Sequence, residues 1–140
     1  MLEIEVEDLL RLYREIEIIA VVGASSDEHK QAHKIPKYLQ DQGYRVIPVN
    51  PQGGKILGEP VVRSLREITE TVDAVDVFRP AEEAPAIAAE AVDLGVGLLW
   101  LQLGIVSPEA QQIASSAGLT VVMDACMGAV HRKLRRRHGL

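Results

Sequence analysis

The sequence predicts a doubly wound α/β fold: five mainly parallel strands in one sheet, with helices on both faces. Three observations lead there: five short apolar runs, helical periodicity in the segments between them, and glycine or proline at the junctions. At 140 residues the chain suits one domain spanning 1–140, long enough to bury roughly two-thirds of its unfolded surface. With 47% hydrophobic and 25% charged residues, the composition is that of a soluble globular chain and excludes a disordered or fibrous one.

The elements follow in order along the chain. In "VEDLLRLYREI", Leu9, Leu10 and Tyr13 form an apolar stripe, which predicts a leading helix over about 5–15 packed on the sheet. "IEIIAVV" at 16–22 is the first strand. "IPKYLQDQ" is a helix closed by Gly43, and Pro36 is expected in its first turn, where a missing N–H costs little. "YRVIPV" at 44–49 and "DAVDVF" at 73–78 are the second and third strands. In "AEEAPAIAAEAVDLG", Ile87, Ala88, Ala91, Val92 and Leu94 share one helical face, and Gly95 stops the helix. "VGLLWL" at 96–101 is the fourth strand. Ser107-Pro108-Glu109 then combines an N-cap, a proline at the first helical position and an early acid, and Gly118 ends that helix. "LTVVMD" at 119–124 is the fifth strand, and a basic tail, 131–140, closes the chain.

Charge and composition narrow the function. No segment is long and apolar enough for a membrane span, and "MLEIEVEDLL" is acidic where a secretory signal would be basic, so no membrane association and a cytoplasmic location are expected. One cysteine, Cys126, excludes an intramolecular disulfide framework. The tail "HRKLRRRHGL" holds five Lys/Arg; with a net charge of −5 overall, the preceding residues carry −10. Such an acidic body opposes extended phosphate contacts, so nucleic acid is not the expected partner and the tail reads as a solvated terminal helix. His29, His33, His131 and His138 have no metal-ligand spacing with cysteine or acids, so no metal is expected. Ser25 and Ser26 lack a G-x-S-x-G elbow, and no hydrolase triad is supported. No catalytic residue is assigned.

A doubly wound sheet takes its ligand across the carboxyl ends of the strands. The first end, Gly23-Ala24-Ser25-Ser26, is a glycine loop opening a helix, suited to a phosphate, yet it lacks the second glycine of G-x-G-x-x-G. The second end offers Asn50-Pro51 where an NAD site would place an acid; the amide suits an adenine or ribose contact, and the pair is equally a turn signal. Phe78-Arg79-Pro80 supplies an arginine for a base or a phosphate, or for an ion pair with Glu82 or Glu83. Gln102-Leu103 offers a neutral amide where amides of a ligand would pass, or one that satisfies loop backbone, and Cys126 follows the fifth strand, where a free cysteine is equally a small buried hydrophobe.

Taken together, "VVGAS", "YLQDQGYRVIPVNP", "VDAVDVFRP", "EAVDLGVGLLWLQLGI" and "AGLTVVMDACMG" resemble the small stand-alone CoA-binding proteins of bacteria. These are similar to the CoA-binding Rossmann-like domain of the succinyl-CoA synthetase α subunit. The resemblance covers nearly the whole chain in collinear order and implies coenzyme A as ligand. It implies that Gly23, Ala24, Ser25 and Ser26 take CoA phosphate, with Lys34 as a charge partner. It also implies that Val49, Asn50 and Pro51 lie against the nucleotide, and that Phe78, Arg79, Pro80, Gln102 and Leu103 contact adenine and pantetheine. Cys126 falls at the thiol end of the pantetheine arm; the family's asparagine beside that cysteine is replaced here by Ala125. In the synthetase a second domain carries the phosphorylated histidine, and nothing in these residues replaces it. The expectation is therefore binding of CoA or an acyl-CoA without turnover, alone or with a protein partner or second copy. An NAD(P)-binding module and the CoA-binding subunit of a multi-chain acyl-CoA ligase are the alternatives.

Overall fold

A computed structural model describes residues 4–140. Helix α1 (Val6–Glu15) leads into β1 (Ile18–Val22), α2 (Gln31–Asp41) and β2 (Arg45–Val49). A short hairpin, β3 (Lys55–Ile56) and β4 (Glu59–Pro60), precedes β5 (Ala74–Val77) and α3 (Ala84–Leu94). The chain continues through β6 (Leu98–Leu101), α4 (Pro108–Ser116), β7 (Thr120–Val122) and α5 (Met127–His138). Five strands form one sheet in the order β2-β1-β5-β6-β7, and every pairing in it is parallel. All five apolar runs are strands of this sheet, and the fold is doubly wound.

Burial on both faces explains why these strands read as continuous apolar runs. Val75, Val77, Leu99 and Leu101 pack under α3 and α4 with Ile87, Ala91 and Ala114. Ile19, Val21, Leu98 and Trp100 pack under α1, α2 and α5 with Leu9, Tyr13, Leu39 and Leu134. After β2 the chain recrosses the sheet to lay β5 on the opposite side of β1. The crevice between the ends of β1 and β5 is thus the topological switch point, where such sheets bind ligands.

Caps behave as their residues dictate. Ser107 Oγ accepts the N–H of Ala110, Pro108 sits at the start of α4, and Gly95 takes a left-handed conformation after α3. Two expectations need correction. Pro36 lies mid-helix in α2, not in its first turn; a proline there cannot donate to the carbonyl four residues back, and the freed Ala32 carbonyl is used elsewhere. The basic tail is no separate segment: α5 begins at Met127, and His131 and Leu134 are buried on its inner face. The β3–β4 hairpin is additional to the elements expected from the sequence. Its two-residue turn has positive φ at both Leu57 and Gly58, the pattern such tight hairpins need, and leucine in the first position hides that signal.

Candidate functional site

Three adjoining cavities run along the carboxyl ends of the strands. The central one, about 460 Å³, is lined by Gly23, Ser25, Ser26, Lys30, Lys55 and Arg79 among others. It shares Gly23, Asn50, Gln52 and Arg79 with a cavity of about 390 Å³ that reaches Pro51, Arg63, Ile87 and Glu90. On its other side Phe78 is common to a third cavity of about 500 Å³, lined by Ile35, Gln102, Leu103, Ile105 and Cys126. Shared residues make this one continuous cleft, polar at its centre and more apolar toward Cys126.

The central loop is built by contacts distant in sequence. Gly23 has φ +88° and donates its N–H to the Val49 carbonyl at 2.9 Å. A Cβ at this position would lie 2.9 Å from Arg79 Cδ and 3.0 Å from the Phe78 carbonyl oxygen, so only glycine fits without displacing the third strand end. Ser25 donates its N–H to the Ala32 carbonyl at 3.1 Å, the acceptor that Pro36 leaves free. The helix-breaking residue thereby ties the loop to α2. Asn50 completes the frame: its Nδ2 donates to the Ala24 carbonyl at 3.0 Å, and its Oδ1 accepts the Gln52 N–H at 2.9 Å. An aspartate could not make the first of these bonds.

The electrostatics favour an anion. Helix α2 opens at Lys30 with no side-chain cap and no acid in its first turn, so its positive end faces the cavity that Lys30 and Ala32 line. Among the described residues Lys30 and Lys55 enter no ion pair, whereas Arg79 is held by Glu83 at 2.7 Å. That pair raises the Arg79 pKa and lowers that of Glu83. Arg63 donates to the Pro51 carbonyl at 3.1 Å, which turns the guanidinium toward the second strand end.

At the far end, Gln102 is only 4% exposed and donates Nε2–H to Asp76 Oδ1 at 2.6 Å. Asp76 is fully buried, and burial pushes its pKa up to about 7 against the opposing pull of the Gln102 bond. Cys126 caps α5: its Sγ accepts the Ala129 N–H at 3.4 Å.

Of the residues expected at the site, Gly23, Ala24, Ser25, Ser26, Val49, Asn50, Pro51, Phe78, Arg79, Gln102, Leu103 and Cys126 line this cleft. Two are placed outside it. Lys34 is exposed on α2 and lines none of the three cavities; Lys30, one turn earlier, does. Pro80 is exposed at the start of a 3-10 turn and serves to end the third strand segment. Sequence reasoning missed Lys30, Arg63, Asp76 and the Gly53-Gly54-Lys55 turn. The paired glycines, both at positive φ, were a readable sign of a close backbone approach beside a lysine. Among the described residues no cluster of His, Cys, Asp and Glu could hold a metal ion, and no helix is long and apolar enough to cross a membrane.

A doubly wound parallel sheet with a cation-lined glycine loop at its switch point places the protein in the Rossmann-like class. More narrowly, residues 17–132 match the family model described as CoA binding domain, and the chain belongs to that family. It is 39% identical over 127 residues to the uncharacterized protein YneT of Bacillus subtilis, covering 91% of this chain and 92% of that one. It is 30% identical over 129 residues to acetate–CoA ligase (ADP-forming) I of Archaeoglobus fulgidus, covering 84% of this chain but 18% of the ligase. A solved structure of cell-free ID.343 from Thermus thermophilus superposes with a TM-score of 0.90 at 41% identity, covering 94% of this chain and 99% of that one. A hypothetical protein from Pyrococcus horikoshii gives 0.91 at 31% identity, with 94% and 93% covered. Archaeal relatives stand beside bacterial ones, so the family is wider than the bacterial group the sequence suggested.

Proposed function

We propose that this chain binds coenzyme A along the cleft and does not itself turn it over. The observation that carries this reading is the order of the cavities. A cation-lined glycine loop lies between a pocket edged by Pro51, Arg63 and Ile87 and a more apolar one lined by Gln102, Leu103 and Cys126. CoA has the same order: adenosine, phosphates, then a pantetheine arm ending in a thiol. In this arrangement the phosphates meet Lys30, Lys55 and the positive end of α2, and the arm passes Phe78 and Gln102. The protein acts in the cytoplasm as a CoA carrier, sensor or regulatory subunit, for free CoA or an acyl-CoA.

Calorimetry with CoA, acetyl-CoA, NAD and ATP tests the assignment. CoA is expected to bind more tightly than NAD, because Asn50 stands where a dinucleotide site needs an acid and its amide is engaged with the loop. NAD binding more tightly than CoA overturns the reading. The 30% identity to an ADP-forming acetate–CoA ligase favours a second role, as the CoA-binding part of a ligase assembled from separate chains; co-purification with a nucleotide-binding partner would support it.

A further prediction concerns the thiol end. Cys126 lines the third cavity, so incubation with CoA disulfide should let its thiolate displace one CoA as the free thiol and leave one CoA disulfide-bonded to the protein. Intact-mass spectrometry is expected to show one added CoA that a reductant removes. Cys126→Ser should show none while still binding reduced CoA. An unmodified native chain would assign the cysteine to capping α5 alone.

A further inference from the structure

Asp76 is the polar group least explained by the fold. It sits in β5 opposite Val21 of β1 and Trp100 of β6, on the apolar face beneath α1, α2 and α5. Among the described residues its Oδ2 is the one buried side-chain nitrogen or oxygen without a hydrogen-bond partner. A buried carboxyl left half-satisfied costs stability, so packing gives no reason for it. Its single side-chain partner does: Gln102 bonds to Asp76 and also lines the cavity that Leu103 and Cys126 share.

An ionised carboxylate only accepts hydrogen bonds, so it admits one orientation of the amide, with Nε2 toward Asp76. The carbonyl Oε1 is then the group Gln102 offers to the cavity. We propose that Asp76 is a positioning residue: by holding the Gln102 amide with its oxygen outward, it makes this part of the cleft select a ligand that donates an N–H, as an amide of the pantetheine arm does. This rests on the CoA reading above. A protonated Asp76 can instead donate to Oε1, letting the amide turn and present Nε2–H, which an incoming N–H cannot use. Because the Asp76 pKa lies at about 7, the two orientations exchange across neutral pH. The other titratable groups on this face are Tyr13 on α1, which burial and the Asp76 charge hold neutral, Tyr38 on α2, Tyr44, Cys126 ahead of α5, and His131 on α5, whose pKa burial lowers and whose ring packs against all three tyrosines.

The test compares CoA with 3′-phospho-ADP, which carries the same three phosphates and lacks the pantetheine arm, by calorimetry at pH 6 and pH 8. For the native protein, CoA is expected to bind roughly three- to tenfold more tightly at pH 8 than at pH 6, beyond any change for 3′-phospho-ADP. Asp76→Asn, isosteric and neutral, is expected to lose that pH dependence and a similar factor of CoA affinity at pH 8, with 3′-phospho-ADP unaffected. Gln102→Leu should do the same. In the free protein, the Gln102 side-chain amide signal in a ¹⁵N spectrum should titrate near neutrality and should stop doing so in Asp76→Asn. An unchanged CoA affinity in Asp76→Asn, or an equal loss for both ligands, overturns the positioning role while leaving CoA binding intact. A native protein that binds neither ligand overturns the CoA reading, and this inference with it.

Discussion

Gly23→Val should reduce CoA affinity by more than about a hundredfold, a loss near 2.7 kcal/mol, while the sheet still forms. Two effects combine. Valine resists the left-handed conformation that φ +88° requires, and its Cβ would meet Arg79 and the Phe78 carbonyl at 3.0 Å or less. The chain relieves this by moving the loop or the end of β5. Either movement displaces the loop backbone proposed above to receive the phosphates and breaks the 2.9 Å bond from Gly23 to Val49. The core residues of β1, Ile19 to Val21, lie deeper and are fully buried, so circular dichroism should retain the native spectrum with a lower melting temperature. Gly23→Ala should fall between. Calorimetric affinity within a factor of three of the native protein for Gly23→Val would remove the loop from the binding site.

The second large effect is on stability and runs opposite to the usual carboxylate. Burial raises Asp76 from 3.8 to about 7 in the folded protein, so between those values the native state holds a proton that the unfolded chain has released. Unfolding then releases protons, and stability falls as pH rises from about 4 to about 7, levelling off above. At 1.36 kcal/mol per pH unit the span corresponds to a ceiling of roughly 4 kcal/mol, and relaxation around the carboxylate brings the expected value to about 2. Urea melts at pH 5 and pH 8 should show the native protein less stable at pH 8. Asp76→Asn should remove most of this difference and be more stable than the native protein at pH 8. A native protein equally stable at both values would place the Asp76 titration outside this range. Gained stability with weakened CoA binding is the expected pairing for a buried charge kept for its effect on a ligand.

The other charged groups contribute less. The Lys37–Asp41 and Arg79–Glu83 pairs are about half exposed, and solvent limits such contacts to a few tenths of a kcal/mol each. The second pair has a positional effect: Glu83 holds the Arg79 guanidinium, and the Arg79 stem runs beside Gly23.

Strand number, the parallel sheet and most cleft residues were readable in the sequence because each rests on a local signal. Runs such as "IIAVV" and "LLWL" are apolar on both faces because both faces are covered, and Gly23, Asn50 and Gln102 follow directly where such runs stop. The sequence also marked Ser107, Gly95 and Gly118, whose roles depend on neighbours within a turn. What only the tertiary structure decided involves partners far apart in the chain, whose meeting depends on how the crossovers stack the strands. The sequence alone suits Pro36 to a helix start, whereas in the fold it lies mid-helix and the carbonyl it leaves free, that of Ala32, accepts the Ser25 N–H. Lys30 precedes α2 and Lys34 lies one turn on, and only the packed structure shows that Lys30 lines the central cavity while Lys34 is exposed outside it. In the sequence Asp76 is one polar residue within the run "DAVDVF"; its bond to Gln102, 26 positions later, exists because β5 and β6 are adjacent in register, a long-range pairing that no local pattern encodes.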